Sequence, residues 1–261
     1  MRLFRWESSP AGYAAAFSTR LGGVSEGAYR SLNLGLLTGD EPKRVVANRR
    51  RLCEALGVDG EQATMALQVH GARVTEAAPL GVVTPGTRYE RCDGLWSDRP
   101  GQGMLLVAAD CVPVVLAREN APRRLAVLHV GWRGLLAGIV ENGVAALRGR
   151  SAEEGTGPVA AGHARSSPVP DVAAAIGPAI GPCCYEVGEE VAAAYRGRFG
   201  AGVLRGQHLD LPEAAARALR AAGVTAIERI RRCTACEAEL FFSHRRDRGR
   251  TGRQGVVAVI R

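Results

Sequence analysis

Three side chains in this sequence are suited to hold a catalytic metal: His70, Cys111 and His129. Catalytic zinc takes three protein donors from imidazole, thiolate and carboxylate and leaves a fourth position for water or substrate. Each of the three stands at the end of an apolar run, next to a residue that interrupts it, namely Gly71, Pro113 and Gly131. Strand ends project side chains into a shared cleft while the buried sheet behind keeps them rigid. Residue type alone also fits a plainer reading, because a lone cysteine is commonly buried core and a histidine at a strand rim is commonly a hydrogen-bonded structural group. The three lie far apart in sequence and lack the close spacing of a zinc ribbon, so spacing does not choose between the two readings.

Two charged residues flank this set. Asp110 precedes Cys111, and Arg133 follows His129 by one turn. A carboxylate there could move a proton and a guanidinium could hold a phosphate oxygen. Equally, Asp110 could cap a turn and Arg133 could pair with a sheet-end carboxylate. Further arginines gather at Arg44, Arg49, Arg50 and Arg51 and again at Arg245, Arg246, Arg248, Arg250 and Arg253. Runs of this kind are more often solvated faces than sites. Cys233-Thr-Ala-Cys236 has the spacing of a zinc knuckle or redox pair, but Cys183 and Cys184 are adjacent and make a poor second half-site, so Cys236 reads as incidental.

The elements that must position these groups follow from periodicity. Apolar residues at helical spacing over Pro42 to Leu56 predict an amphipathic helix, with Asp40 as its cap and Pro42 in its first turn. A short strand is expected at Ala66 to His70. The continuous apolar runs Met104 to Ala109, Val112 to Ala117 and Leu125 to Val130 predict strands buried on both faces. A helix over Leu135 to Leu147 follows the break at Gly131-Trp-Arg-Gly134. Residues 148–170 have no periodicity and read as an exposed, mobile loop. A strand over Asp171 to Ile176, helices near Gly188 to Arg198 and Pro212 to Ala222, and strands near Phe241 and Val256 to Ile260 complete an α/β pattern without repeats, in one domain spanning 1–261.

With 261 residues and 46% hydrophobic content the chain can bury a large core without staples. Its seven cysteines, an odd number, argue against a disulfide framework and for reduced thiols. The start lacks the apolar region of a signal peptide and no run approaches the ~20 apolar residues of a membrane span, so a cytoplasmic protein without a membrane partner is expected. The net charge of +8 rests on arginine, Lys43 being the only lysine, a bias that GC-rich coding also produces. With 5% aromatic residues and no recognition motif, a nucleic-acid partner is not expected.

Local wording adds to this. Gln68-Val-His-Gly71, Ala109-Asp-Cys-Val-Pro-Val114 and Leu128-His-Val-Gly-Trp-Arg-Gly134 resemble signature blocks of the multicopper polyphenol oxidase, or laccase-domain, family. Further similar blocks are Thr19-Arg-Leu-Gly-Gly-Val-Ser25, Ser31-Leu-Asn-Leu-Gly35, Ile176-Gly-Pro-Ala-Ile-Gly-Pro-Cys-Cys-Tyr-Glu-Val187 and Phe242-Ser-His-Arg-Arg-Asp247, so the resemblance covers nearly the whole chain. It implies a four-layer α/β/β/α fold with mixed sheets and zinc held by His70, Cys111 and His129. It also implies phosphorolysis of purine nucleosides (adenosine, inosine, methylthioadenosine) to free base and ribose 1-phosphate, with adenosine deaminase activity. Asn33, Arg49, Arg245 and Arg246 then fall in blocks near the nucleoside and phosphate. Deamination has a physical basis, since zinc brings the pKa of a bound water toward neutrality, where hydroxide can attack C6 of adenine. Ala179 where relatives often carry Cys, Val130 where Ala is commoner, and the 148–170 segment depart from the pattern without touching a ligand.

Two further readings use the same residues. Cys111 activated by His129 could be the nucleophile of an amide hydrolase acting on peptidoglycan precursors, which stoichiometric zinc on the thiolate would rule out. A multicopper centre needs many imidazoles, commonly as His-x-His, and the five histidines here contain no such pair. Copper could still replace zinc at an N/S site and support weak polyphenol oxidation. The expected partners are nucleoside and phosphate, in a monomer or small homo-oligomer.

Overall fold

The uninterrupted apolar runs do become strands covered on both faces, and what covers them differs face by face. The computed structural model describes residues 1–83, 88–149 and 171–261. In chain order the elements are β1 (Leu3–Arg5), β2 (Tyr13–Ser18), α1 (Pro42–Glu54), β3 (Thr64–Met65), β4 (Val74–Glu76), β5 (Gly94–Ser97), β6 (Met104–Ala108), β7 (Val112–Arg118) and β8 (Arg124–Val130). They continue with α2 (Trp132–Leu136), α3 (Ile139–Leu147), β9 (Val172–Ile176), α4 (Glu189–Phe199), β10 (Leu204–Arg205), β11 (His208–Leu209), α5 (Leu211–Ala221), β12 (Ala226–Arg229) and β13 (Gln254–Ile260).

Two large sheets result, ordered β1-β2-β13-β6-β3 and β12-β9-β7-β8-β5-β4, with a separate β10-β11 pair. Both are mixed: β3 joins β6, β4 joins β5 and β12 joins β9 in parallel, and the remaining pairs of the two large sheets are antiparallel. Alternation along β7 shows the layering. Val114 and Leu116 face a core shared with α3 and α5, while Val115 and Ala117 face Phe17, Leu106 and Val256 of the other sheet. On the far side of that second sheet, Leu105, Val257 and Val259 pack on Leu52 of α1 and on Leu56 just beyond it. Three apolar layers therefore separate four layers of structure in the order α/β/β/α. Because the period of a strand is 2, a continuous apolar run was required to serve both neighbours.

Several expectations need correction. The helix over Leu135 to Leu147 is two helices, α2 and α3, parted by Gly138 at φ +94°, a left-handed turn that glycine makes without strain. Only Thr64–Met65 of the segment before His70 is strand; beyond it Gln68 stands in for a strand partner, its carboxamide bonding both the carbonyl (2.6 Å) and the amide (3.0 Å) of Val107. No strand forms at Phe241. There Gln254 uses the same device on the amide and carbonyl of Phe242, at 2.8 and 3.1 Å. Asp40 does not cap α1: its carboxylate takes the Glu41 amide at 2.8 Å and the Asn33 carboxamide at 2.9 Å. The mobile-loop expectation at 148–170 falls, from residue 150 onward, outside the described residues. No helix among the described residues is long and apolar enough to cross a membrane.

Candidate active site

The triad is assembled where three connections meet at one end of the two sheets. His129 is the penultimate residue of β8, paired in register with Pro113 of β7, and Cys111 immediately precedes β7. His70 arrives from the turn after Gln68. One donor atom from each of the three lies within 4.8 Å of the others, and the two imidazoles meet edge to face at a centroid distance of 4.9 Å. Two backbone irregularities mark the spot: His70 has φ +60° and Asp110 has φ +91°, conformations that non-glycine residues adopt at a cost of roughly 1–3 kcal/mol. Gly131 fits between the ligands, since a Cβ there would come within 2.9 Å of the His70 ring and 3.3 Å of the Cys111 sulfur.

A residue that the sequence analysis missed holds this corner together. Asp93, fully buried, accepts the amides of Val69 (3.1 Å), His70 (2.9 Å) and Gly71 (2.7 Å) and the Nδ1 of His129 (2.8 Å). Burial alone would raise its pKa, but the His129 bond and the amides hold the carboxyl below the usual range. An ionised Asp93 fixes the proton on Nδ1 and leaves Nε2 of His129 as the donor, the carboxylate–histidine arrangement of metal sites. Burial also opposes ionisation of Cys111. The neighbouring charge and hydrogen bonds of His129, and then of His70, outweigh it and bring the thiol down to about 6. His129 responds in the opposite sense, raised to about 9 against burial by Cys111 and Asp93. The N,N,S donor set, the mutual distances and the fixed tautomer all fit a metal ion of the zinc or copper type.

The triad opens into a cavity of about 920 Å³. Arg49, Arg88, Arg91, Arg133, Arg245 and Arg253 line it, against one carboxylate, Asp110. Among the described residues none of these six arginines has a carboxylate partner. The apolar share of the wall includes Met65, Val107, Trp132, Ile180 and Tyr185. Burial pushes the Tyr185 phenol up to about 12, so it remains a donor at neutral pH.

The other sequence-selected residues are placed unevenly. Arg133 stacks on Trp132 at 4.5 Å, exposed at the cavity mouth, and Arg245 lies over the Tyr185 ring at 5.2 Å with its guanidinium on the Glu186 carbonyl at 2.9 Å. Asp110 has both oxygens occupied, by the Thr234 hydroxyl and the Arg245 amide, each at 2.7 Å. Arg49 reaches the cavity wall but is only 2% exposed, and its guanidinium bonds the carbonyls of Leu34 (2.8 Å) and Val82 (3.0 Å) and the Tyr89 hydroxyl (3.2 Å). Asn33 and Arg246 do not line the cavity. Asn33 braces the amides of Gly35 and Arg253, at 3.0 and 2.8 Å, and Arg246 bonds the carbonyls of Thr234 and Phe241, at 2.8 and 3.0 Å, beside Asp247. Tyr185, His244 and Arg253 line the cavity without having been selected, although Tyr185 and His244 sit in blocks already noted for their wording and Arg253 in the arginine run that follows them.

Fold and site together define a four-layer α/β/β/α enzyme-type domain with a His-Cys-His cluster in an arginine-lined cavity. The chain belongs to the family described as multi-copper polyphenol oxidoreductase laccase, whose family model matches residues 14–261. It is 39% identical over 257 residues to the purine nucleoside phosphorylase YlmD of Geobacillus stearothermophilus, covering 93% of this chain and 88% of that protein. It is 36% identical over 253 residues to the purine nucleoside phosphorylase PA4543 of Pseudomonas aeruginosa, covering 94% and 92%. The crystal structure of the Geobacillus YlmD superposes with a TM-score of 0.84 at 36% identity, over 100% of this chain and 97% of that one. A Bacillus licheniformis protein, YfiH, gives 0.82 at 33% identity, over 95% and 93%.

Proposed function

We propose that the chain is a purine nucleoside phosphorylase that holds zinc through His70, Cys111 and His129 and also deaminates adenosine. The observation that supports this best is the set of cavity arginines that have no carboxylate partner among the described residues, beside an N,N,S donor set, a place suited to neutralise a phosphate oxyanion next to an apolar wall suited to a purine. Phosphorolysis needs little from the protein beyond positioning. An oxygen of hydrogen phosphate bonds C1′ of the ribose, the C1′–N9 bond breaks, and its electron pair leaves with the base, which takes up the proton that hydrogen phosphate brought. Arg133 and Arg245 hold the phosphate. Asp110, whose oxygens are both engaged, acts by fixing the Thr234 hydroxyl and the Arg245 backbone amide rather than by transferring a proton. Zinc, when bound, supplies Lewis acidity suited to deamination at C6.

The test is chromatography of adenosine, inosine and methylthioadenosine incubated with and without phosphate, alongside elemental analysis. Base release that requires phosphate, with Cys111→Ser and His129→Ala each losing one metal equivalent and the deaminase activity together, is the expected result. Base release at the same rate in phosphate-free buffer would mean hydrolysis and sink the phosphorylase reading.

A second reading draws on the line Cys111, His129, Asp93, which is also the order of groups in a cysteine hydrolase, with the thiol already brought to about 6. That reading requires Cys111→Ser to abolish amide hydrolysis while leaving the protein's metal content untouched. Copper found in place of zinc would instead favour the oxidase alternative.

A further inference from the structure

A second group of metal-type ligands lies outside the cavity. Cys183 and Cys184 sit in the turn that follows Gly181, and Cys233 and Cys236 sit in the turn that follows β12. None of the four lines the cavity. The two turns are brought side by side by a parallel bridge between Ala179 and Cys233, with the Thr234 amide bonded to the Ala179 carbonyl at 3.0 Å. One sulfur from each cysteine lies within 4.8 Å of the others, and Cys236 is 3.3 Å from both Cys183 and Cys184. Adjacency in sequence, which made Cys183 and Cys184 look like a poor half-site, does not keep both thiols from turning toward the same partner.

We propose that Cys183, Cys184, Cys233 and Cys236 form a tetrathiolate site for one zinc-class cation that clips these two turns together. Four sulfurs at about 2.3 Å from a common tetrahedral ion are about 3.8 Å apart, a value between the 3.3 Å contacts and the 4.8 Å within which all four sulfurs lie, and an all-sulfur tetrahedral set selects zinc or iron over harder ions. The surroundings are those of a thiolate site. The Gly181 amide donates to the Cys233 sulfur at 3.3 Å, and the Cys236 amide points to the same sulfur, as N–H groups do around metal-bound cysteines. Gly181 also lets the turns close, since a Cβ there would lie 3.3 Å from the Cys183 sulfur and 3.5 Å from Cys233. A single disulfide uses these groups less well: Cys183 and Cys184 contact Cys236 equally, so one bond would strand the other thiol and leave Cys233 with its amide donors.

The site is structural, and its position says what it supports. Thr234, between the two ligands of the 233–236 turn, is fully buried and donates to Asp110, while Tyr185 follows Cys184 directly and stacks with Arg245 on the cavity wall. The ion would therefore fix this part of the cavity wall, through Thr234 and Tyr185, without touching substrate.

The experiment compares metal equivalents, by native mass spectrometry and elemental analysis, in the wild-type chain, Cys111→Ser and Cys233→Ser/Cys236→Ser, all purified without chelator. Cys111→Ser is expected to keep one equivalent, released when a mercurial titrates the thiols, and the double variant is expected to lose that equivalent. Should the double variant fail to fold, cobalt(II)-loaded Cys111→Ser decides alone: it must show near-ultraviolet thiolate-to-cobalt absorption. A metal-free Cys111→Ser chain without that absorption, or a wild-type mass lighter by two hydrogens with a disulfide mapped to Cys236, overturns the proposal. Neither result bears on the His-Cys-His centre, so the two assignments fail separately.

Discussion

The two sides of the cavity are built on opposite principles. On the His70–Cys111–His129 side every donor is fixed from behind: Asp93 takes three consecutive amides and one imidazole, two residues are locked at positive φ, and Gly131 admits the ligands at contact distance. On the arginine side, Arg88, Arg91 and Arg133 are exposed, and Arg133 is steadied by stacking on Trp132. Rigid placement suits a metal, whose ligand distances tolerate little error, whereas long unpaired guanidiniums suit an anion that arrives from solvent and can be met by several donors. The contrast also separates the arginines themselves, since Arg49 on the cavity wall belongs to the rigid side by its hydrogen bonds.

The largest effect should come from Asp93→Ala. It strands three amides and the imidazole of His129 in a fully buried place, and a loss of about 3–5 kcal/mol in unfolding free energy is expected by denaturant titration. Asp93→Asn, which keeps the size but not the charge, should fold and bind metal ~10–100-fold more weakly. Unchanged metal affinity in Asp93→Asn would mean that the carboxylate is a fold brace and not part of the centre.

Arg49→Ala comes next. Its guanidinium serves backbone carbonyls in a buried place, so about 2–4 kcal/mol of stability should be lost, with little change in phosphate KM among the molecules that remain folded. A selective rise in phosphate KM without destabilisation would move Arg49 to the anion side.

Arg133→Ala should do the reverse. Stability should shift by less than ~0.5 kcal/mol, while phosphate KM rises ~10–100-fold, the cost of one charged contact. Equal phosphate KM in the variant and the parent would remove the anion role from this side of the cavity.

The smallest change is one of pH. In metal-free protein the Cys111 thiol, held near 6 by His129 and His70 against the effect of burial, is thiolate above that pH. Its alkylation by iodoacetamide, followed on the Cys111 peptide, should rise through about pH 6 and be flat by pH 8, where an unperturbed thiol would still be gaining rate. In Asp93→Asn the imidazolium loses its carboxylate and the inflection should move upward. An inflection near the ordinary cysteine value in the parent would show that the rigid side does not impose charge on its sulfur.

Much of this protein can be read from its residues in order. Unbroken apolar runs over β6, β7 and β8 announce strands covered on both faces, because a period-2 element that is apolar at every position must bury both sides. The candidate donors Cys111 and His129 show themselves by type and by their place beside β7 and β8, whereas His70 shows itself by type alone, since the strand expected before it ends at Met65. Asp93 did not, since a single aspartate before a strand has no pattern to distinguish it from a turn residue, and its importance lies in amides from a segment more than twenty positions away. Arg49 and Arg133 are indistinguishable as letters; burial against carbonyls makes one a brace, and exposure beside a cavity leaves the other free to meet an anion as proposed. The same holds for Cys183, Cys184, Cys233 and Cys236, which in sequence are a doublet and a spaced pair. Local wording sets which groups a chain carries and which elements they sit on, while the crossing of distant loops sets which groups share a few ångströms, because that proximity is fixed by packing between layers and by no interval along the chain.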